Sequence, residues 1–121
     1  MSLVFNMGVH QVRCTGVSPE SLSSGFNSKR RLTPETAIRE GDIEGYFDPD
    51  TMEIFYDCTL SKIRKEETIL HELIHAAACI YGLFNLFEAL ELGAAVEELV
   101  ASTLGAALCQ ALATHLYFEG V

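Results

Sequence analysis

Apolar positions along the chain fall into two regimes. Between Thr68 and Tyr81 they crowd together as Ile69, Leu70, Leu73, Ile74, Ala76, Ala77, Ala78 and Ile80, with no glycine or proline among them. An apolar, alanine-rich run of this kind predicts a largely buried helix. Thr59-Leu60-Ser61 supplies cap residues ahead of it, Glu66 and Glu67 sit early where the helix dipole favours acids, and Gly82 follows. The helix is therefore expected from Ser61 to Tyr81. A second helix is expected to begin between Leu86 and Leu92 and to run to Phe118.

The first half has the signature of strands and turns. Val9 to Cys14 sets Val9, Gln11 and Arg13 against His10, Val12 and Cys14, a weak strand pattern. Ser18 to Arg31 is rich in Ser, Gly and Asn and reads as loop. Thr33 to Gly41 fits either a short helical turn, with Pro34 at its first position, or an extended connection. Gly45 to Asp57 predicts a hairpin. Asp48-Pro49-Asp50-Thr51 has type I turn chemistry, and the second strand alternates Met52, Ile54 and Tyr56 against Glu53, Phe55 and Asp57. Strands first and helices after make an α+β chain, and residues 1–121 fit one domain with one core.

Composition narrows the partners. A formal net charge of -9, with Lys29-Arg30-Arg31 the only basic cluster, argues against nucleic acid. Cys14, Cys58, Cys79 and Cys109 stand singly, which is neither a zinc-ribbon spacing nor a compact disulfide framework. They read as buried free thiols in a reducing compartment, and the N-terminus lacks the pattern of a signal peptide. A cytoplasmic protein of a bacterium or a phage-infected cell is the expectation. Leu99 to Phe118 has no Asp, Glu, Lys or Arg, yet it carries Ser102, Thr103, Gln110, Thr114 and His115 between Glu98 and Glu119. Without cationic anchors it suits a buried helix or a homodimer interface rather than a membrane span.

The chemistry lies in the first helix. His71-Glu72-Leu73-Ile74-His75 reads H-E-x-x-H. Residues four apart share a helix face, so both imidazoles can reach one ion while Glu72 stands beside them as a base towards water. Histidines and a glutamate in an apolar helix also need a partner, because buried polar groups are costly when unpaired. Catalytic zinc takes three protein ligands, so a third must come from elsewhere. His10, His115, Glu88, Glu91, Glu97 and Glu98 are candidates. Glu97 continues through Val100, Ala101, Leu104 and Leu108, an apolar stripe suited to packing on the first helix. Glu98 continues through the smaller Ala101, Ser102 and Gly105. Glu97 is thus the first choice and Glu98 the alternative. Cys79, two turns beyond His71, is expected to pack in the core. Tyr46, Tyr56, Tyr81 and His115 are unranked candidates to stabilise an oxyanion.

The hairpin Gly45-Tyr-Phe-Asp-Pro-Asp-Thr-Met-Glu-Ile-Phe-Tyr-Asp, followed by Thr68-Ile-Leu-His-Glu-Leu-Ile-His-Ala76, resembles the small phage and prophage zinc metallopeptidases of the gluzincin group. These are relatives of the ImmA/IrrE and SprT-like minimal peptidases. The likeness spans Gly45 to Leu108. It implies a minimal zincin-like fold, a small sheet or hairpin packed on the H-E-x-x-H helix and closed by a long second helix. It also implies Zn2+ as cofactor, His71, His75 and Glu97 (or Glu98) as ligands, Glu72 as catalytic base and acid, and a protein or peptide substrate. The alternative expectation is a catalytically weak, metal-binding regulatory or interaction module of phage or prophage origin. A metal-free helical oligomerisation protein is a third.

Overall fold

The computed structural model describes residues 2–7, 9–82 and 93–112. Among the described residues, four strands form one mixed sheet, and three helices accompany it. The strands are β1 (Ser2–Met7), β2 (His10–Val17), β3 (Gly45–Asp48) and β4 (Glu53–Asp57). The helices are α1 (Pro19–Arg30), α2 (Lys62–Ile80) and α3 (Gly93–Leu112). The sheet order is β1-β2-β4-β3, with β2 parallel to β4 and both outer pairs antiparallel.

β1 is a strand that the sequence reading does not assign. It nevertheless alternates, with Leu3, Phe5 and Met7 turned inward and Ser2, Val4 and Asn6 outward, and it pairs with β2 from Met7↔His10 to Ser2↔Thr15. β2 keeps the expected alternation, since Val12 and Cys14 are fully buried while Gln11 and Arg13 are exposed. The hairpin of β3 and β4 forms around residues 49–52. Met52 leaves the expected strand and adopts a left-handed conformation, φ 56°, at the end of the turn.

The stretch expected as loop, Ser18 to Arg31, is a helix. Its N-terminus carries start signals that outweigh its Ser- and Asn-rich composition. Ser18 caps it by accepting the Ser21 N–H at 3.1 Å, Pro19 occupies the first turn, and Glu20 follows. Leu22 is buried, and Asn27 pins the next segment from both ends of its amide. Asn27 Nδ2 donates to Ile38 O at 3.0 Å, and Asn27 Oδ1 accepts the Ile38 N–H at 2.9 Å. Parallel strands need a crossover, and α1 with the segment that follows it carries the chain from β2 towards β4. Within 33–41 the ambiguous segment makes a turn, in which Thr33 O accepts the N–H groups of Thr36 and Ala37.

The first helix of the sequence reading matches α2. Ser61 caps it through the Arg64 N–H, and Gly82 beyond it is left-handed at φ 74°. Glu66 and Glu67 fall past its first turn, and Glu67 pairs with Arg64 at 3.2 Å instead. One side of α2 closes the core: Ile69, Leu73 and Ala76 pack with Val12, Cys14, Ile54 and Tyr56 of the sheet. Burying each larger aliphatic side chain contributes about 1.5–3 kcal/mol. Gly45 begins β3 hard against α2, where an added Cβ would lie 2.7 Å from Thr68 Cγ2 and 2.8 Å from Phe55 O. α3 packs along α2. The expected helix start between Leu86 and Leu92 and its extension to Phe118 lie outside the described residues. Among the described residues no helix is long and apolar enough to cross a membrane.

Candidate metal centre

His71 and His75 lie one turn apart on α2, half-buried, with ring centroids 5.0 Å apart. Their Nε2 atoms are 3.3 Å apart. From α3, the Glu98 carboxylate closes the same point, with Oε1 2.9 Å from His71 Nε2 and Oε2 2.9 Å from His75 Nε2. Glu97 stands behind His75 and holds Nδ1 through Oε1 at 2.8 Å. A carboxylate at Nδ1 fixes the ring and leaves the Nε2 lone pair for the site.

The two glutamates take different places in the structure. Glu98, the alternative, faces both imidazole tips; Glu97, the first choice, supports one ring from the rear. α3 approaches α2 through small residues: Ala101 is fully buried, and a Cβ on Gly105 would lie 3.1 Å from both the backbone N and the Cα of His71. Ala101 and Gly105 share a helix face with Glu98, and that close approach brings its short carboxylate within reach. Val100 is only half-buried, and the side chains of Leu104 and Leu108 are outside the described residues.

Glu72 is buried beside the pair, with Oε1 3.9 Å from His71 Nε2. Burial pushes its carboxyl up to about 7; Glu98 adds to the rise, and His75 and Arg30 oppose it. His71 is held below the ordinary histidine range, chiefly by burial, despite the pull of Glu98. Burial also acts to lower His75, but the Glu97 hydrogen bond and the surrounding carboxylates outweigh it, so His75 lies above that range.

These donors fit a zinc ion. Zinc–ligand bonds of about 2.0–2.1 Å place neighbouring donors of a tetrahedral shell about 3.3 Å apart. The Nε2 pair matches that spacing, and the Glu98 oxygens come somewhat closer. His71, Glu72 and His75 alone also offer ligand atoms within 4.8 Å of one another.

The group opens into a cleft of about 940 Å³ between α1, β3, α2 and α3. Cys79 lines this cleft and is exposed, so it is not the core residue expected; Cys58 is exposed too, and only Cys14 is buried as anticipated. Cys109 has no described side chain. Of the tyrosines, Tyr46 forms part of the cleft wall, Tyr56 is in the core and Tyr81 is 62% exposed on the helix cap. His10 begins β2 and does not line the cleft. His115, Glu88 and Glu91 lie outside the described residues.

Two contributions to the cleft escaped the sequence reading. Phe26 and Arg30 reach it from α1, and their i, i+4 spacing would have placed them on one face had the Ser18-Pro19-Glu20 start been read as a helix. Arg64 ties Glu44, just before β3, to α2, while Thr68 Oγ1 donates to the other Glu44 oxygen at 3.2 Å. This network braces β3 against the helix that carries His71 and His75.

No family model, curated protein or solved structure matches the chain.

Proposed function

We propose that the protein is a zinc-dependent peptidase with a minimal zincin-like arrangement. The observation that carries this reading is the meeting of His71, His75 and Glu98 at 2.9–3.3 Å, beside a buried Glu72, at the floor of an open cleft. His71 Nε2, His75 Nε2 and the Glu98 carboxylate would hold the ion. Zinc there would supply Lewis acidity towards a carbonyl oxygen and a water acidified towards neutrality.

The chain's own residues do the rest. Glu72 takes a proton from water as the oxygen attacks the peptide carbonyl carbon, and passes it to the amine nitrogen as the C–N bond breaks. A carboxyl raised to about 7 by burial exchanges a proton readily near neutrality. Glu97 keeps His75 oriented. β3 is the outer strand of the sheet on the cleft side, so an extended peptide can align along it through main-chain hydrogen bonds. A cytoplasmic setting suits the unpaired Cys14, Cys58 and Cys79.

Purified protein should contain zinc by elemental mass spectrometry and should hydrolyse a mixed peptide library. Glu72→Gln should retain the zinc and lose about 10²–10⁴-fold in hydrolysis. Retained zinc with unchanged cleavage in that variant would eliminate Glu72 as the base. Bound zinc with no cleavage by the wild type would instead favour the regulatory metal-binding module.

A further inference from the structure

The charges lining the cleft are almost all paired. Arg64 is occupied by Glu44 and Glu67, Glu97 by His75, and Glu98 by both histidines. Beside the cleft, Lys29 is bound at 2.9 Å to the buried Asp48. Arg30 differs. It is exposed at the C-terminal end of α1, its guanidinium lies over the Phe26 ring at 5.3 Å, and among the described residues no carboxylate forms a salt bridge with it, although its charge acts at longer range on the buried Glu72. It also lines both the main cleft and an adjoining recess of about 200 Å³ bounded by Tyr46, Phe47 and Pro49, with Lys29, Asp48 and Asp50 on its rim. An aromatic face orients a guanidinium while leaving its N–H edge free. That edge has the fork geometry that matches a carboxylate through two hydrogen bonds.

We propose that Arg30 anchors a carboxylate of the substrate, so that the cleft selects peptides bearing an Asp or Glu side chain or a free C-terminus along it. This inference rests on the peptidase reading above, because it takes the cleft as the peptide site. It gives α1 a role in specificity, on the wall opposite the metal-site helices. The preference would run against the chain's own charge of -9, which by itself disfavours acidic ligands.

The test uses zinc-loaded protein carrying Glu72→Gln, which binds without turnover, and fluorescently labelled peptides read by anisotropy. One pair differs only as Asp against Asn, both with amidated ends. A second pair differs only as free against amidated C-terminus. The Asp peptide, or the free-ended one, should bind about tenfold more tightly than its neutral partner. The pair that shows the difference identifies the source of the carboxylate. Adding Arg30→Gln should erase that difference, Arg30→Glu should reverse it in favour of a Lys peptide, and Arg30→Lys should retain part of it. Thermal unfolding of each Arg30 variant should match the parent, since the side chain is exposed. Neutral peptides that bind with no acidic preference, or a preference that survives Arg30→Gln, would overturn the Arg30 assignment alone. Failure of every peptide to bind, with none cut by the wild type, would overturn the peptidase reading and this inference together.

Discussion

On one side of the cleft, α2 and α3 press together through Ala101 and Gly105, and His71, Glu72, His75, Glu97 and Glu98 all hang from those two backbones. On the other side, α1 is held by a cap, a buried Leu22 and the Asn27 tether, and it offers only Phe26 and Arg30. The first wall is held by close backbone approach. The second is pinned at a few points. The proposed chemistry sits on the first wall, where a donor displaced by an ångström would lose its ion, and the proposed recognition sits on the pinned one, which tolerates variation.

The sharpest way to break this contrast is to separate the two adjacent glutamates. Glu98→Ala removes a donor that faces both imidazoles. Its loss of zinc affinity should exceed the roughly 10- to 100-fold expected when Glu97→Gln merely releases the His75 ring. Competition with a chromophoric chelator measures both. Equal losses, or a larger loss at Glu97, would return Glu97 to the place the sequence reading preferred for it.

Next in size is the helix contact itself. Gly105→Val would drive a branched side chain into the His71 backbone, at a cost of about 1–3 kcal/mol in chemical denaturation, and should weaken zinc binding as α3 moves outward. Normal stability and normal affinity in this variant would show that the approach is not tight. On the opposite wall, Asn27→Ala removes two hydrogen bonds to Ile38 and should cost about 1–2 kcal/mol while zinc affinity stays unchanged. A fall in zinc affinity there would mean that the two walls are coupled.

The smallest effect concerns pH. Burial alone would raise the Asp48 carboxyl, but Lys29, the Asp50 N–H and Thr51 together hold it below the ordinary range. A depressed carboxyl stabilises the fold fully above its unfolded-state pKa, roughly 3.9, and that contribution disappears as pH falls through the folded value. The urea midpoint of wild type should therefore exceed that of Asp48→Asn at pH 7, and the gap should narrow by pH 3. The gap should be modest, because Lys29 is nearly half exposed. A gap that widens with acid would contradict the assignment.

What could be read from sequence divides along the same walls. α2 announces itself locally, through a dense apolar run, Ser61 ahead of it and Gly82 behind. The hairpin does so through Asp48-Pro49 and the alternation of β4, in which Ile54 and Tyr56 are indeed buried. α1 was obscured because its Ser, Gly and Asn content matches a loop, while much of what holds it, Leu22 in the core and Asn27 on Ile38, is tertiary. The placement of Glu98 against both imidazoles was hard to read for a related reason. Hydrophobicity marks which face is buried, whereas the distance between two helices depends on how small their facing residues are. The parallel pairing of β2 with β4 has no local signature at all.

That pairing also bears on how the chain assembles. Arg13 lies opposite Glu53 and Val17 opposite Asp57, so the central ladder joins segments forty positions apart, whereas β3–β4 and α2 close over short spans. Each long closure must give up chain entropy before its contacts repay it. The β3–β4 hairpin on α2 is therefore expected to order first, with β2 docking later and carrying β1 with it. Pulse-labelled hydrogen exchange should find the Asp57 amide, which donates to Glu44 O, protected before the Arg13 amide, which donates to Met52 O; simultaneous protection would refute this order. The histidine pair would then have its helix early but its cleft only at the end, so an ion captured during folding would meet an open, half-built site.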